Sequence, residues 1–99
     1  MEIQKVHDND RLTLTVNGRL ETATAPQLDA EIRAIPPEVR NLTIGMADVE
    51  YVSSAGLRVI LTAQKAMNAC GGSMELSGVS PAVKHVFDIT GFTSVLKFV

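Results

Sequence analysis

The sequence predicts an α/β fold in which helices pack against one mixed sheet of four to five strands. Segments with the two-residue period of strands alternate along the chain with segments of helical spacing, in the order β-β-α-β-α-β-α-β. Helices that join consecutive strands imply parallel strand pairs with right-handed crossovers. The chain has 99 residues, of which 45% are hydrophobic, enough for one core. We therefore expect a single domain over residues 1–99.

The first two strands are predicted to form a hairpin. Leucine and valine alternate with threonine and asparagine in residues 11–18, RLTLTVNG, as in a half-buried strand. Residues 2–6 form a shorter β-branched run, and the Asp-Asn-Asp cluster at residues 8–10 is typical of a turn. Gly18 is expected to end the second strand.

The first helix is predicted within residues 21–37, ETATAPQLDAEIRAIPP, with Thr24 or Ala25 just before its first turn. Leu28, Ile32 and Ile35 fall on one helical face, and Pro26 suits the first turn. The prolines at residues 36–37 end the helix.

The middle of the chain is predicted as a buried strand followed by a long helix. Residues 41–46, NLTIGM, form the strand, and a short loop then runs from Asp48, a turn residue that caps local backbone, to Tyr51. Helical spacing begins at Ser54 and ends at the glycines of residues 71–72.

The last third is predicted as strand, helix and strand. Residues 73–78 form the first of these strands. Ser80 is a predicted N-cap, Pro81 occupies the first helical position and Gly91 ends the helix. Residues 95–99 are the predicted final strand.

Composition argues against several classes of function. The formal net charge of −2 and a pI near 5.6 do not provide the basic footprint of a nucleic-acid groove. No apolar run approaches the roughly 20 residues of a spanning helix, so no membrane insertion is expected. Cys70 is the only cysteine and can form no internal disulfide. We expect a cytoplasmic protein.

No catalytic or metal-binding pattern is present. The sequence has no G-x-S-x-G, P-loop or G-x-G-x-x-G motif. His7 and His85 are far apart in sequence, with one cysteine between them, and metal sites need more ligands at closer spacing. We therefore expect no enzyme, no cofactor and no metal.

Ser53 and Ser54 stand where a strand passes into a helix. A serine there can cap the unpaired N–H groups of the first helical turn, and we predict this role for Ser53. Ser54 is a candidate for covalent modification, because a phosphate at a helix N-terminus lies in a favourable field. It would add nearly two negative charges to an exposed corner, which repel a partner shaped for the neutral form.

Three segments together resemble the STAS domain of bacterial anti-sigma factor antagonists over essentially the full chain. They are VNGRLETATAPQL, NLTIGMADVEYVSSAGL and SPAVKHVFDITGF. The resemblance implies phosphorylation at Ser54, with Ser53 in place of the family's aspartate and Ala55 in place of its second hydroxyl residue. Glu21 corresponds to the acidic residue of the family's Gly-x-Leu-Asp segment, and Gly45 stands where many members have Asp or Asn.

The resemblance also implies the partners. The unphosphorylated protein would bind an anti-sigma factor, itself an ATP-dependent serine kinase, and free a sigma factor. Phosphorylation would end that binding, and a PP2C-type serine phosphatase would restore it. The expected interface is the corner formed by residues 18–24, residues 51–56 and the following helix start. Its candidate residues are Glu21, Thr22, Ser53, Ser54, Ala55, Gly56 and Arg58, the last being equally well an ordinary solvated arginine.

Two alternatives remain open on the sequence. One is a STAS-type interaction subunit of a lipid-transport complex or of a stressosome-like scaffold, which the length does not separate from an antagonist. The other is a small enzyme with Ser54 as nucleophile, for which no general base can be identified.

Overall fold

Four strands in the order β1-β2-β3-β4 form one sheet, which three helices cover. The computed structural model describes all residues, 1–99. It confirms the predicted fold class and the order of elements as far as the third helix. The elements are β1 (Glu2–Asp8), β2 (Arg11–Leu20), α1 (Ala25–Arg33), β3 (Asn41–Val52), α2 (Ser54–Ala69), β4 (Ser73–Ser77) and α3 (Pro81–Ile89).

The predicted hairpin joins β1 to β2. The two strands are antiparallel with Asp8 opposite Arg11, so the turn consists of Asn9 and Asp10 alone. Asn9 has a φ of 55°, a left-handed conformation that asparagine tolerates better than most residues.

The remaining pairs, β2 with β3 and β3 with β4, are parallel. Leu14, Ile44 and Leu76 lie side by side across the three strands and are at most 1% exposed. Right-handed crossovers that proceed in one direction across a sheet place their helices on the same face. That face holds the core, whereas the half-buried residues Thr43 and Glu75 hydrogen-bond to each other on the opposite face.

The central strands are longer than predicted, and two expectations are wrong. Gly18 does not end β2, which continues to Leu20, and Asp48 lies within β3 opposite Asn17 rather than capping a loop. Two register shifts each give β3 one more residue than β2, as in β-bulges. The predicted loop after residue 46 is therefore strand, and it carries Val52 alongside Leu20.

The predicted final strand is reduced to a single bridge. Phe98 pairs with Leu76 in the parallel sense, and the Leu76 N–H donates to the Lys97 carbonyl at 2.8 Å. The sheet thus has four strands, within the predicted range. None of the three helices combines the length and the hydropathy that crossing a bilayer requires.

Candidate functional site

The junction between β3 and α2 is held by Ser53. Its backbone is extended, its Oγ accepts a hydrogen bond from the Gly56 N–H at 3.3 Å, and its carbonyl accepts from the Leu57 N–H at 2.9 Å. The Ser53 N–H donates to the Leu20 carbonyl at 2.9 Å. Ser53 is therefore the helix cap that the sequence predicted, and it also ties the junction to the end of β2.

Ser54 is the first residue of α2, and its side chain is exposed. The neighbouring cap is made by Ser53, so the Ser54 hydroxyl has no structural hydrogen bond to give up. An enzyme can reach this hydroxyl without any movement of the core.

Gly56 lets α2 approach β2 closely. A Cβ atom at this position would lie 2.7 Å from both the Cγ and the carbonyl oxygen of Leu20, much closer than real Cβ contacts. Every side chain larger than hydrogen would displace the first turn of α2. The candidate residues on the helix therefore keep their place only with glycine here.

The loop between β2 and α1 is fixed by Thr24. Its Oγ1 donates to the Arg19 carbonyl at 2.6 Å and accepts from the Glu21 N–H at 3.0 Å. The Glu21 carbonyl accepts from the N–H groups of Thr24 and Ala25 at 3.0 and 2.7 Å. These bonds fix the conformation of the loop at Glu21. The residue before it, Leu20, is the one that Ser53 and Gly56 contact.

Arg19 and Tyr51 complete this corner; both lie within the predicted interface segments 18–24 and 51–56, although the sequence does not single out either one. The register of β2 and β3 places them opposite each other. The Arg19 guanidinium lies 4.6 Å from the centre of the Tyr51 ring, and its Nε donates to Glu21 Oε2 at 3.1 Å. Tyr51 is 41% exposed. This Tyr51–Arg19–Glu21 row presents an aromatic ring and both charges on the surface.

Thr22, Ala55 and Arg58 line one groove of about 340 Å³ between α1 and α2. Two charged residues of α1 also line it: Arg33 Nε donates to Asp29 Oδ2 at 2.7 Å. That hydrogen bond, and then the charge of Asp29, raise the pKa of Arg33 above its usual value. The structure thus places the seven candidate residues at one corner, around the end of β2, the start of α2 and this groove.

Replacing Ser53 by alanine is expected to lower the free energy of unfolding by about 1 kcal/mol, because the Gly56 N–H loses its acceptor. Urea denaturation followed by circular dichroism measures the loss. Ser53→Asp is the matched control, since aspartate caps helices as well as serine and should retain the stability. Equal destabilisation by both variants would contradict the capping role.

The protein is a one-sided α/β domain, because all the crossover helices of its sheet lie on a single face. It presents an exposed serine at a capped strand-to-helix junction. The chain belongs to the STAS domain family, whose sequence model matches residues 2–99.

Two curated relatives share most of the chain. The "Putative anti-sigma factor antagonist BtrV" of Bordetella bronchiseptica is 35% identical over 85 residues, which cover 85% of this chain and 73% of that protein. The anti-sigma-B factor antagonist of Bacillus subtilis is 29% identical over 92 residues, covering 93% of this chain and 84% of that protein.

The fold is also that of a solved anti-sigma factor antagonist, SpoIIAA. Its unphosphorylated form superimposes with a TM-score of 0.82, at 18% identity, covering 99% of this chain and 88% of that chain. The phosphorylated form, from Bacillus, gives a TM-score of 0.77 at the same identity, with 99% and 91% of the chains covered. The same fold therefore accommodates both states of that protein.

Proposed function

We propose that this protein is an anti-sigma factor antagonist that acts by switching partners in the cytoplasm. Its unphosphorylated form binds an anti-sigma factor that is also a serine kinase, and the bound sigma factor is released. Phosphorylation of Ser54 ends the binding, and a PP2C-type phosphatase restores it. The protein itself performs no catalysis in this scheme.

The observation that carries the proposal is the exposed Ser54 at the start of α2. It lies in a chain 35% identical to a relative named as an anti-sigma factor antagonist. A kinase needs a hydroxyl that is accessible and free of structural duties, and Ser53 relieves Ser54 of capping the helix. The fold therefore does not depend on the state of Ser54.

The modification is an ordinary phosphoryl transfer. Ser54 Oγ attacks the γ-phosphorus of ATP held by the kinase, an O–P bond forms, and the bond between the γ-phosphorus and the bridging oxygen of ADP breaks. The hydroxyl proton passes to the kinase or to solvent. The phosphate gains a favourable field from the positive end of the α2 dipole, so the modified protein stays folded.

Ser53 replaces the family's aspartate without loss of the cap, because a hydroxyl oxygen also accepts the Gly56 N–H. The replacement removes a negative charge from the residue next to Ser54. The hydroxyl of Ser54 is therefore presented to the kinase in a less acidic setting. We propose that the kinase of this protein recognises the backbone at Ser54 and the surrounding residues of segments 18–24 and 51–56, and that it does not require a carboxylate next to the serine.

The partner surface in this proposal comprises Ser54 together with two neighbouring features of the same corner. One is the Tyr51–Arg19–Glu21 row, and the other is the groove lined by Thr22, Ala55 and Arg58. A phosphate on Ser54 would add a dianion to this surface, which the complex would have to desolvate and bury.

Incubation with a purified anti-sigma factor kinase and ATP should place one phosphate on the protein, at Ser54, as mapped by mass spectrometry of peptides. Ser54→Ala should remain unmodified, whereas Ser53→Asp, which retains the cap, should still be modified. Phosphate on another residue, with none on Ser54, would overturn the assignment.

A further inference from the structure

The cations around Ser54 differ in how they are engaged. Arg19 is paired with Glu21 and stacked on Tyr51, and Arg33 is paired with Asp29. Arg58 is exposed, and its guanidinium forms no ion pair and donates no hydrogen bond to the protein; the one side chain that bonds to Arg58 is that of Thr62, which donates to its backbone carbonyl. Arg58 is therefore the uncommitted cation of this corner.

Arg58 lies four residues after Ser54 on the same helix. Residues at this spacing are neighbours on the helix surface, with Cβ atoms about 6 Å apart. An acidic group placed N-terminal to a basic one is the favourable orientation of such a pair. A serine phosphate projects further than a carboxylate and offers three oxygens to the fork of a guanidinium.

We propose that Arg58 is the phosphate-binding residue of the modified protein. Its guanidinium donates to the phosphate of Ser54 and thereby leaves the groove between α1 and α2. This inference rests on the proposed phosphorylation of Ser54 for its biological setting and names the residue that holds the modified state.

The consequence is that one modification changes two features of the partner surface. It adds a dianion at Ser54, and it withdraws the uncommitted positive charge from the groove that Thr22 and Ala55 also line. A partner that places an acidic group against Arg58 would lose that attraction in addition to meeting the phosphate. Affinity would then fall further than repulsion by the added charge alone predicts.

The second ionisation of the phosphate reports the contact directly. Phosphoserine is incorporated at position 54 during translation, and the ³¹P chemical shift is followed through pH 4–8. Pairing with Arg58 favours the dianion and so lowers the phosphate pKa below its usual value of about 6; Arg58→Gln should therefore raise this pKa by roughly half a unit, back toward that value. This corresponds to an approximately threefold change in the ionisation constant.

Lys65→Gln is the matched control. Lys65 is also exposed on α2 and forms no ion pair, but it lies 11 residues after Ser54 by sequence number, about 16 Å along the helix axis. At physiological ionic strength that distance is about two screening lengths, so its removal should leave the phosphate pKa nearly unchanged. Equal shifts in the two variants, or none with Arg58→Gln, would overturn the inference.

The outcome is separate from that of the proposed function. Translation installs the phosphate without any kinase, so the titration can succeed even if no kinase modifies Ser54. Conversely, kinase modification of Ser54 with no effect of Arg58 on the titration would refute only the contact. A further readout is the ¹⁵N shift of Arg58 Nε, which should titrate together with the phosphate in the modified protein and stay constant in the unmodified one.

Discussion

Replacing Ser54 by aspartate is expected to leave the protein folded but to weaken its affinity for the anti-sigma factor kinase by well over tenfold. The stability of the fold is unaffected because Ser54 is exposed at the first position of α2. A carboxylate there interacts favourably with the helix dipole, by about 0.3–1 kcal/mol. Binding suffers because a charge left unpaired at a buried contact typically costs about 2–5 kcal/mol.

Titration calorimetry with the purified kinase and urea denaturation of the free protein measure the two effects separately. Ser54→Asn, which is close in size and neutral, should bind far better than Ser54→Asp. Asn68→Asp adds the same charge to an exposed position near the other end of α2 and should bind like the unmodified protein. Unchanged affinity of Ser54→Asp would refute the electrostatic switch.

The elements predicted most accurately are those whose signals are local. Ser80 caps α3 by accepting from the Val83 N–H at 3.2 Å, Pro81 opens the helix, and Gly91 follows it with a φ of 80°. Each residue acts on backbone within a few positions of itself, so the sequence contains the whole physical reason. The same holds for Ser53 at the start of α2.

The errors fall where distant segments decide the conformation. The buried residues Met46, Val49 and Val52 are spaced by three along β3, because two bulges interrupt the two-residue period. A spacing of three residues is not typical of a strand. The segment is recognisable as a strand only from its pairing with β2. Gly18 is predicted to end β2, but its φ of 108° occurs inside this strand, at the pair with Val49.

The final segment forms less strand than its sequence predicts, for a related reason. Leu96 is buried and Phe98 packs edge-to-face against Phe87 at 5.4 Å, so the apolar pattern of the segment is genuine. The pattern reports contact with the core, however, and not the number of ladder hydrogen bonds. Only Leu76 on β4 forms a bridge with this segment.

The candidate site also contains features that local sequence signals predict and features that depend on contacts between distant segments. The cap by Ser53 and the helix-start position of Ser54 are visible in the sequence, because both depend only on the helix that these residues begin. The row formed by Tyr51, Arg19 and Glu21 is not visible, since it requires the bulged register that sets Arg19 opposite Tyr51. The groove that unites Thr22 with Ala55 and Arg58 likewise exists only once α1 and α2 are packed.

Gly56→Ala is expected to destabilise the protein by about 1–3 kcal/mol, the usual cost of an overpacked core, although alanine gains about 1 kcal/mol in intrinsic helix propensity. The clash decides the sign, because the new methyl group would lie 2.7 Å from the carbonyl oxygen of Leu20. The Leu20 side chain is fully buried in the core, and its carbonyl belongs to β2 and accepts the Ser53 N–H, so neither can easily give way. The start of α2 must therefore move, and Ser54 moves with it.

Gly45→Ala is the control that separates steric conflict from the general effect of losing a glycine. A Cβ at Gly45 would meet the hydroxyl oxygens of Thr15 and Ser77 at 3.4 and 3.6 Å, an ordinary contact, and glycine within a strand costs about 0.5–1 kcal/mol relative to alanine. Urea denaturation should therefore show Gly45→Ala as stable as the original protein or slightly more so, and Gly56→Ala as less stable. The rate of Ser54 phosphorylation should fall in Gly56→Ala but not in Gly45→Ala, because only the first variant displaces the start of α2 from its contact with Leu20. An unchanged stability of Gly56→Ala would mean that α2 does not rest on β2 as closely as this contact requires, and the geometry assigned to the corner around Ser54 would fail with it.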